Sequence, residues 1–213
     1  MRFRKLIAGA VAGIVLAGGV ATTSTVSAQT APPTLSQILA SQGPIGDRNW
    51  YDFDIINGVV GAILQANPSS PLALAADPNS PKLTVFLPND RAFQVLAADL
   101  LGWKYLFASE AQVATALLKA IPIATLETVV RYHVHVGYID AKTALSVPAG
   151  TKVPMLAGGS ITVTPLRLLG TAVLGDNDRN DIDPFLVKSK LDIKASNGIA
   201  HGISFVLRPI DLK

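Results

Sequence analysis

The sequence predicts an α+β fold, and two observations carry that reading. Apolar residues recur at helical spacing through the first half of the chain, whereas from Gly150 onward short β-rich runs alternate with Gly-Gly, Asp/Asn-rich and Ser-Asn-Gly turns. Helices in one half and strands in the other do not make the alternating units of a doubly wound parallel sheet. The chain has 213 residues, 49% hydrophobic and 15% charged, which fits one globular domain and excludes an intrinsically disordered chain.

After the polar, Pro-containing segment Gln29 to Pro33, Thr34 to Ser41 reads as a short helix capped by Thr34. Trp50 to Asp54 introduces a longer helix. Ile55, Ile56, Val59, Val60, Ile63 and Leu64 share its apolar face, Asp52 or Asp54 is placed to cap it, and Asn67-Pro68 ends it. Pro68 to Pro81 is a loop with room for one helical turn at Leu72 to Ala76. Lys82 to Leu87 is a β-rich run stopped by Pro88, and Asn89 or Asp90 then caps a helix carrying Phe93, Leu96, Ala97 and Leu100. Ser109-Glu110-Ala111-Gln112 opens a helix through Lys119, and Thr125 to Tyr132 forms another before His133-Val134-His135-Val136 alternates. The strands of the second half are Thr151 to Met155, Ser160 to Thr164, Leu166 to Leu174, Phe185 to Ile193 and Ile199 to Leu207.

Lys and Arg number 18 against 15 Asp and Glu, for a pI near 9.2. The whole surplus lies in Arg2, Arg4 and Lys5, and no acidic residue precedes Asp47, so residues 29–213 carry no net charge. A balanced chain offers no global excess with which to displace counterions from phosphates, and no nucleic acid is expected as a partner. The first residues read as a secretory leader: a basic Met1 to Lys5, an apolar Leu6 to Ala21 too short and Gly-rich for a spanning helix, and Val26-Ser27-Ala28 as the cleavage site. The organisation expected is therefore a signal peptide at 1–28, an N-terminal segment at 29–49, a globular domain at 50–210 and a tail at 211–213. With no cysteine, an exported domain must be stable through its core, and thiolate metal sites and a cysteine nucleophile are excluded. No transmembrane anchor and no cofactor are expected.

The chemical inventory is thin. There is no G-x-S-x-G elbow, H-E-x-x-H, P-loop or strand-linked G-x-G-x-x-G, and the chain has only three histidines, His133, His135 and His201. His133 and His135, separated by one residue in a strand, are expected on one face about 7 Å apart, where a metal could use them if His201 or an Asp converged. In the stretch from Asp176 to Asp183, Asp176, Asp178 and Asn180 match the first ligand positions of a calcium loop. The match fails at position six, Asp181, and at position twelve, Val187. These four oxygen-bearing residues, Asp176, Asp178, Asn180 and Asp183, are the weak metal candidates, and a solvated Asx-rich turn is the plainer reading.

Three segments together resemble the fasciclin domain family. Thr84-Val85-Phe86-Leu87-Pro88-Asn89-Asp90-Arg91-Ala92-Phe93 is similar to its first signature, Tyr132-His133 stands where the family has a Tyr-His pair, and Asn197-Gly198-Ile199-Ala200-His201 followed by Val206-Leu207-Arg208-Pro209 is similar to its second. The resemblance implies a two-sheet β-wedge or sandwich with helices packed on one side, and scaffold roles for Thr84, Phe86, Pro88, Asp90, Phe93, Tyr132, His133, Asn197, Gly198 and His201. In the residues themselves, Asn197-Gly198 is placed to supply the positive φ values of a hairpin turn. Asn89 where Ser or Thr is usual, Gly137 after the Tyr-His pair and Ser204 depart from the family pattern. The function implied is a secreted, non-enzymatic adhesion or surface-interaction module. Its partner would be a cell-surface or matrix component, protein or glycan, or a second copy of itself. The alternatives are a secreted small-ligand or metal-binding protein using a pocket or the Asp176–Asp183 loop, and a hydrolase.

Overall fold

The computed structural model describes residues 31–212. The leader read at 1–28 lies outside the described residues. Helix α1 (Leu35–Ala40) is held by the capping box of Thr34 and Gln37. Helix α2 (Asp54–Ala66) buries Ile55, Ile56, Val59 and Ile63 on the face the sequence predicts, but neither Asp52 nor Asp54 caps it. The N-cap position is Phe53, and the Ile55 N–H is accepted by Asp90 Oδ1 at 3.0 Å, from another helix. The loop that follows contains a 3-10 turn, Pro71–Ala75.

Strand β1 (Leu83–Pro88) runs directly into α3 (Asp90–Leu101), with Asn89 as the cap through its Ala92 N–H at 3.0 Å. A 3-10 turn, Trp103–Phe107, leads to α4 (Glu110–Ala120), capped by Ser109 and Gln112. Helix α5 (Ile123–Arg131) and strand β2 (Val134–Val136) follow. Helix α6 (Ala141–Ser146), started by Asp140 accepting the Thr143 N–H, is not anticipated by the sequence pattern.

Strands β3 (Thr151–Pro154), β4 (Ser160–Leu166) and β5 (Thr171–Gly175) form a three-stranded antiparallel sheet. The run expected as one strand from Leu166 to Leu174 is broken, because Arg167–Leu169 forms a 3-10 turn and Gly170 takes a left-handed φ of 60°. The run from Phe185 to Ile193 is likewise not one strand. Phe185 bridges to Val173 and Leu186 to Ile203, stitching the two sheets together, before a 3-10 turn (Lys188–Lys190) and a short β6 (Ile193–Ala195). Strand β7 (Gly198–Ile203) completes a four-stranded sheet of order β2-β1-β7-β6.

The central pair of that sheet is parallel, with Leu83 opposite Gly198 and Phe86 opposite His201. Alternation across it divides the core. Leu83, Leu87 and Ala200 face the helices and join Ile55, Ile63, Phe93, Leu117 and Val129, whereas Phe86 and Ile203 join Tyr132, Met155, Ile161, Leu174 and Leu207 with the second sheet. Each fully buried Leu or Ile contributes about 1.5–3 kcal/mol relative to exposure, so two contiguous clusters are ample for a domain without disulfides.

Asn197 and Gly198 lack the positive φ values expected of them; among non-glycines only Arg48 and Asp192 have them in the described residues. The hairpin between β6 and β7 turns through Ser196 and Asn197, with Ala195 opposite Gly198. Glycine is required at 198 for space, since a Cβ there would lie 2.1 Å from the Leu83 carbonyl oxygen across the parallel pair. Gly198→Ala is expected to destabilise the domain by about 3 kcal/mol, as overpacking against backbone that cannot yield, read as a lower midpoint in urea unfolding.

Candidate functional site

The histidines do not assemble a site. His133 precedes β2, and its ring enters the helical side, fully buried, with Nδ1 2.8 Å from the Val129 carbonyl and Nε2 accepting the Leu207 N–H at 2.9 Å. That pattern places the proton on Nδ1. Burial pushes the ring down to about 4, against a smaller upward effect of the Val129 carbonyl. His135 instead donates its Nδ1–H to the Pro154 carbonyl at 2.7 Å, tying β2 to the second sheet. His201, buried on β7, accepts the Asp192 N–H on Nδ1 at 3.2 Å and meets the Ile139 carbonyl through Nε2 at 2.8 Å, and burial lowers its pKa as well. The expectation that His133 and His135 share a face is therefore wrong, because the chain leaves α5 through His133 and β2 begins only at Val134.

The remaining motif residues fix backbone. Thr84 Oγ1 donates to the Gly137 carbonyl and accepts the Ile139 N–H, both at 2.9 Å. Phe86 lies against the His201 ring with centroids 6.1 Å apart, and Phe93 packs in the helical core. Pro88 ends β1 opposite Ile203. Tyr132, wholly buried, donates its hydroxyl to the Ser160 carbonyl at 2.8 Å, and burial with the nearby Asp176 pushes it up to about 12. Asn197 is a hub: its side chain donates to the carbonyls of Leu74, Ala75 and Asp77 and accepts the Leu35 N–H.

The loop from Asp176 to Asp183 is occupied by the protein's own cation. Arg208 is 3% exposed, and its guanidinium lies 2.9 Å from Asp99, 3.4 Å from Asp178 and 2.8 Å from Asp181, while Asp176 accepts its backbone N–H at 2.7 Å. Asp183 turns to the Asp176 N–H and Asn180 to Asp211. Asp176 is pushed up to about 6, by burial first. Of the four residues read as weak calcium ligands, only Asp178 meets the guanidinium, joined there by Asp99 and Asp181, while Asp176, Asn180 and Asp183 are engaged in other hydrogen bonds.

A second group of acids has no such partner, and the sequence reading did not single it out as a site. Asp52, Asp54, Asp90 and Glu110 are each at most 5% exposed, with Asp47 beside them at the surface. Asp54, Asp90 and Glu110 are the first residues of α2, α3 and α4, so three helix N-termini meet here. One oxygen from each of Asp47, Asp54 and Glu110, and one from each of Asp52, Asp54 and Asp90, lie within 4.8 Å of one another. Burial pushes Asp90 up to about 10, aided by its hydrogen bond with Asp52, and Asp54 up to about 6. The signal in the sequence was an acid in the first turn of three successive long helices, read there only as capping chemistry.

At the surface, Trp103 and Phe107 project from the turn between α3 and α4, 80% and 91% exposed. Beside them lies an open groove lined by Tyr105, Ala111, Gln112, Thr115 and Lys119. A separate apolar crevice of about 750 Å³, open solvent included, runs between α1, α2 and the sheet. His133 reaches it, but with both ring nitrogens engaged it offers no polar anchor there.

These features define the class: an α+β module whose motif residues are engaged in holding backbone and core in place. The fasciclin domain model matches residues 59–209, and the chain belongs to that family. The solved structure of a FAS1 domain pair from the insect cell adhesion molecule fasciclin I is similar in fold, with a TM-score of 0.56 and 16% identity over 84% of this chain and 51% of that one. The chain thus spans about half the length of that structure. No curated protein sequence matches.

Because His133 stays neutral in the fold down to about pH 4 while an unfolded histidine titrates near 6.5, the unfolded state binds more protons between those values. His133 therefore makes stability rise with pH from about 4 to about 6.5, and His133→Gln should lose this part of the slope in urea midpoints measured across that range. Arg208→Met leaves Asp178 buried without its charge partner, and a loss of about 3–5 kcal/mol is expected, measured by thermal unfolding at neutral pH.

Proposed function

We propose that this fasciclin-family chain is a non-enzymatic surface-interaction module, exported by means of the leader read at 1–28, which contacts its partner through the aromatic turn between α3 and α4. The observation that carries the reading is the outward display of Trp103 and Phe107 on a turn that is itself pinned. Gln94, buried in α3, donates to the carbonyls of Leu106 and Ala108 at 3.1 and 3.4 Å. Large aromatic rings held in place lose little freedom on binding and recur among residues that dominate interface energies. Lys104 lies over the Tyr105 ring at 5.3 Å, and with Lys119 gives the groove a basic rim around an apolar floor.

The partner is a cell-surface or matrix component, protein or glycan, or a second copy of the chain. A domain without net charge attracts it by local shape more than by long-range steering. The engagement of the His133 and His201 rings with backbone groups supports a non-enzymatic role, since neither is free to act as a base. Among the described residues no single helix is long and apolar enough to cross a membrane.

The test is adhesion of beads coated with the chain to immobilised cell-surface and matrix fractions, with sedimentation to score self-association. Trp103→Ser combined with Phe107→Ser should weaken whichever contact is found by at least tenfold, about 1.4 kcal/mol. The melting temperature should move by no more than about 2 °C, as befits exposed positions. Undiminished adhesion by the double variant would place the contact surface elsewhere.

A further inference from the structure

We infer that Asp47, Asp54 and Glu110 form a binding site for one calcium-class divalent cation, between the loop that precedes α2 and the N-termini of α2 and α4. One oxygen from each lies within 4.8 Å of the others. Oxygens gathered around a single calcium ion at about 2.4 Å can be no farther apart than about 4.8 Å.

The oxygens that would face such an ion lack N–H partners in the chain. Asp54 is 1% exposed, and neither of its buried carboxylate oxygens accepts an N–H, its polar neighbours being other carboxyls, Asp90 first. Glu110, also 1% exposed, leaves Oε1 unpartnered, while its Oε2 accepts the N–H groups of Gly46 and Arg48 at 3.0 and 3.1 Å. These bonds aim the Glu110 carboxylate and hold the loop that carries Asp47. The chain supplies N–H donors to the neighbouring acids where it can, as with Ile55 N–H to Asp90 and Asn49 to Asp52, and supplies no N–H to Asp54. Among the described residues no Lys or Arg pairs with any of these carboxylates, in contrast to the Arg208 site. Buried ionised groups without a counter-charge are strongly disfavoured, and a cation or protons must answer them.

The two triads that share Asp54 differ in access. The inner one, with Asp52 and Asp90, is wholly buried. The outer one opens to solvent through Asp47, which gives an ion access. Its donors are all oxygens, which select hard cations, and they come from three separate segments without octahedral constraint, which favours calcium over magnesium. Water completes the coordination.

The full chain, stripped with a chelator, is titrated with calcium chloride and separately with magnesium chloride at pH 7.5. Equilibrium dialysis gives stoichiometry, and thermal unfolding gives linkage. One calcium should bind with a Kd of about 10⁻⁴–10⁻³ M, and about 10 mM calcium should raise the melting temperature by about 5 °C. Asp54→Asn and Glu110→Gln keep the shapes and one acceptor oxygen each while removing charge. Each should bind at least tenfold more weakly yet melt, without calcium, no lower than the parent, because repulsion is relieved. Asp183→Asn, in the Arg208 loop, should bind as the parent does. Absence of saturable binding up to about 10 mM calcium would show a cluster held by protons alone and overturn the site. Calcium binding that survives both Asp54→Asn and Glu110→Gln, or is lost in Asp183→Asn, would overturn it equally.

Discussion

The parallel pairing of β1 with β7 is the constraint on which the rest of the structure depends. It joins a strand from the helical half to the last strand of the domain, and both are buried on their two faces. Backbone groups at such depth must be paired, so the pairing is close to compulsory once the side chains are buried. Gly198 admits the Leu83 carbonyl, and Asn197, one residue earlier, gathers α1 and the Pro71–Ala75 turn onto the same corner. On the next rungs Phe86 meets His201, whose ring reaches the Ile139 carbonyl and the Asp192 N–H on flanking segments. The motif residues are thus a single backbone-fastening system, in which the buried rings of His133 and His201 each bond backbone groups through both nitrogens.

The fold buries carboxylates in two places and treats them differently. Around Arg208 three carboxylates converge on one guanidinium, an ion-paired arrangement that anchors the C-terminal segment to the loop after β5 and to α3. At the junction of α2, α3 and α4 the acids face helix N-termini, whose partial positive charge offsets only part of their repulsion. The first arrangement is complete within the chain. The second is not, and this asymmetry between sites of like composition is what separates a structural ion pair from a place for an exogenous charge.

Much of the architecture was legible in the sequence, and the failures have physical causes. Helical periodicity located α2, α3, α4 and α5, and the capping signals at Thr34, Asn89 and Ser109 were local enough to read directly. The α2 cap was not, since its acceptor is Asp90, brought there by tertiary folding. Helix α6 is only Ala141–Ser146, too short to show a period. The apolar run from Leu166 to Leu174 carried strand propensity throughout, but Gly170 breaks it and leaves Leu168 and Leu169 exposed. In the candidate sites, residue type misled where it lacked a partner's position: the Asp-rich loop looked like a cation site because nothing nearby in sequence announced Arg208. Asp52, Asp54, Asp90 and Glu110 looked like ordinary helix starts because their convergence is a property of three dimensions.

The β1–β7 pair also bears on how the chain reaches its fold. A strand made early must wait for one made late, so a ribosome delivering the chain from its N-terminus cannot close the central sheet until the segment around Gly198–Ile203 has emerged. Until then β1 can pair only with the antiparallel β2, and its other edge stays unpaired. The native topology therefore delays its own completion until the last strand of the domain has been made.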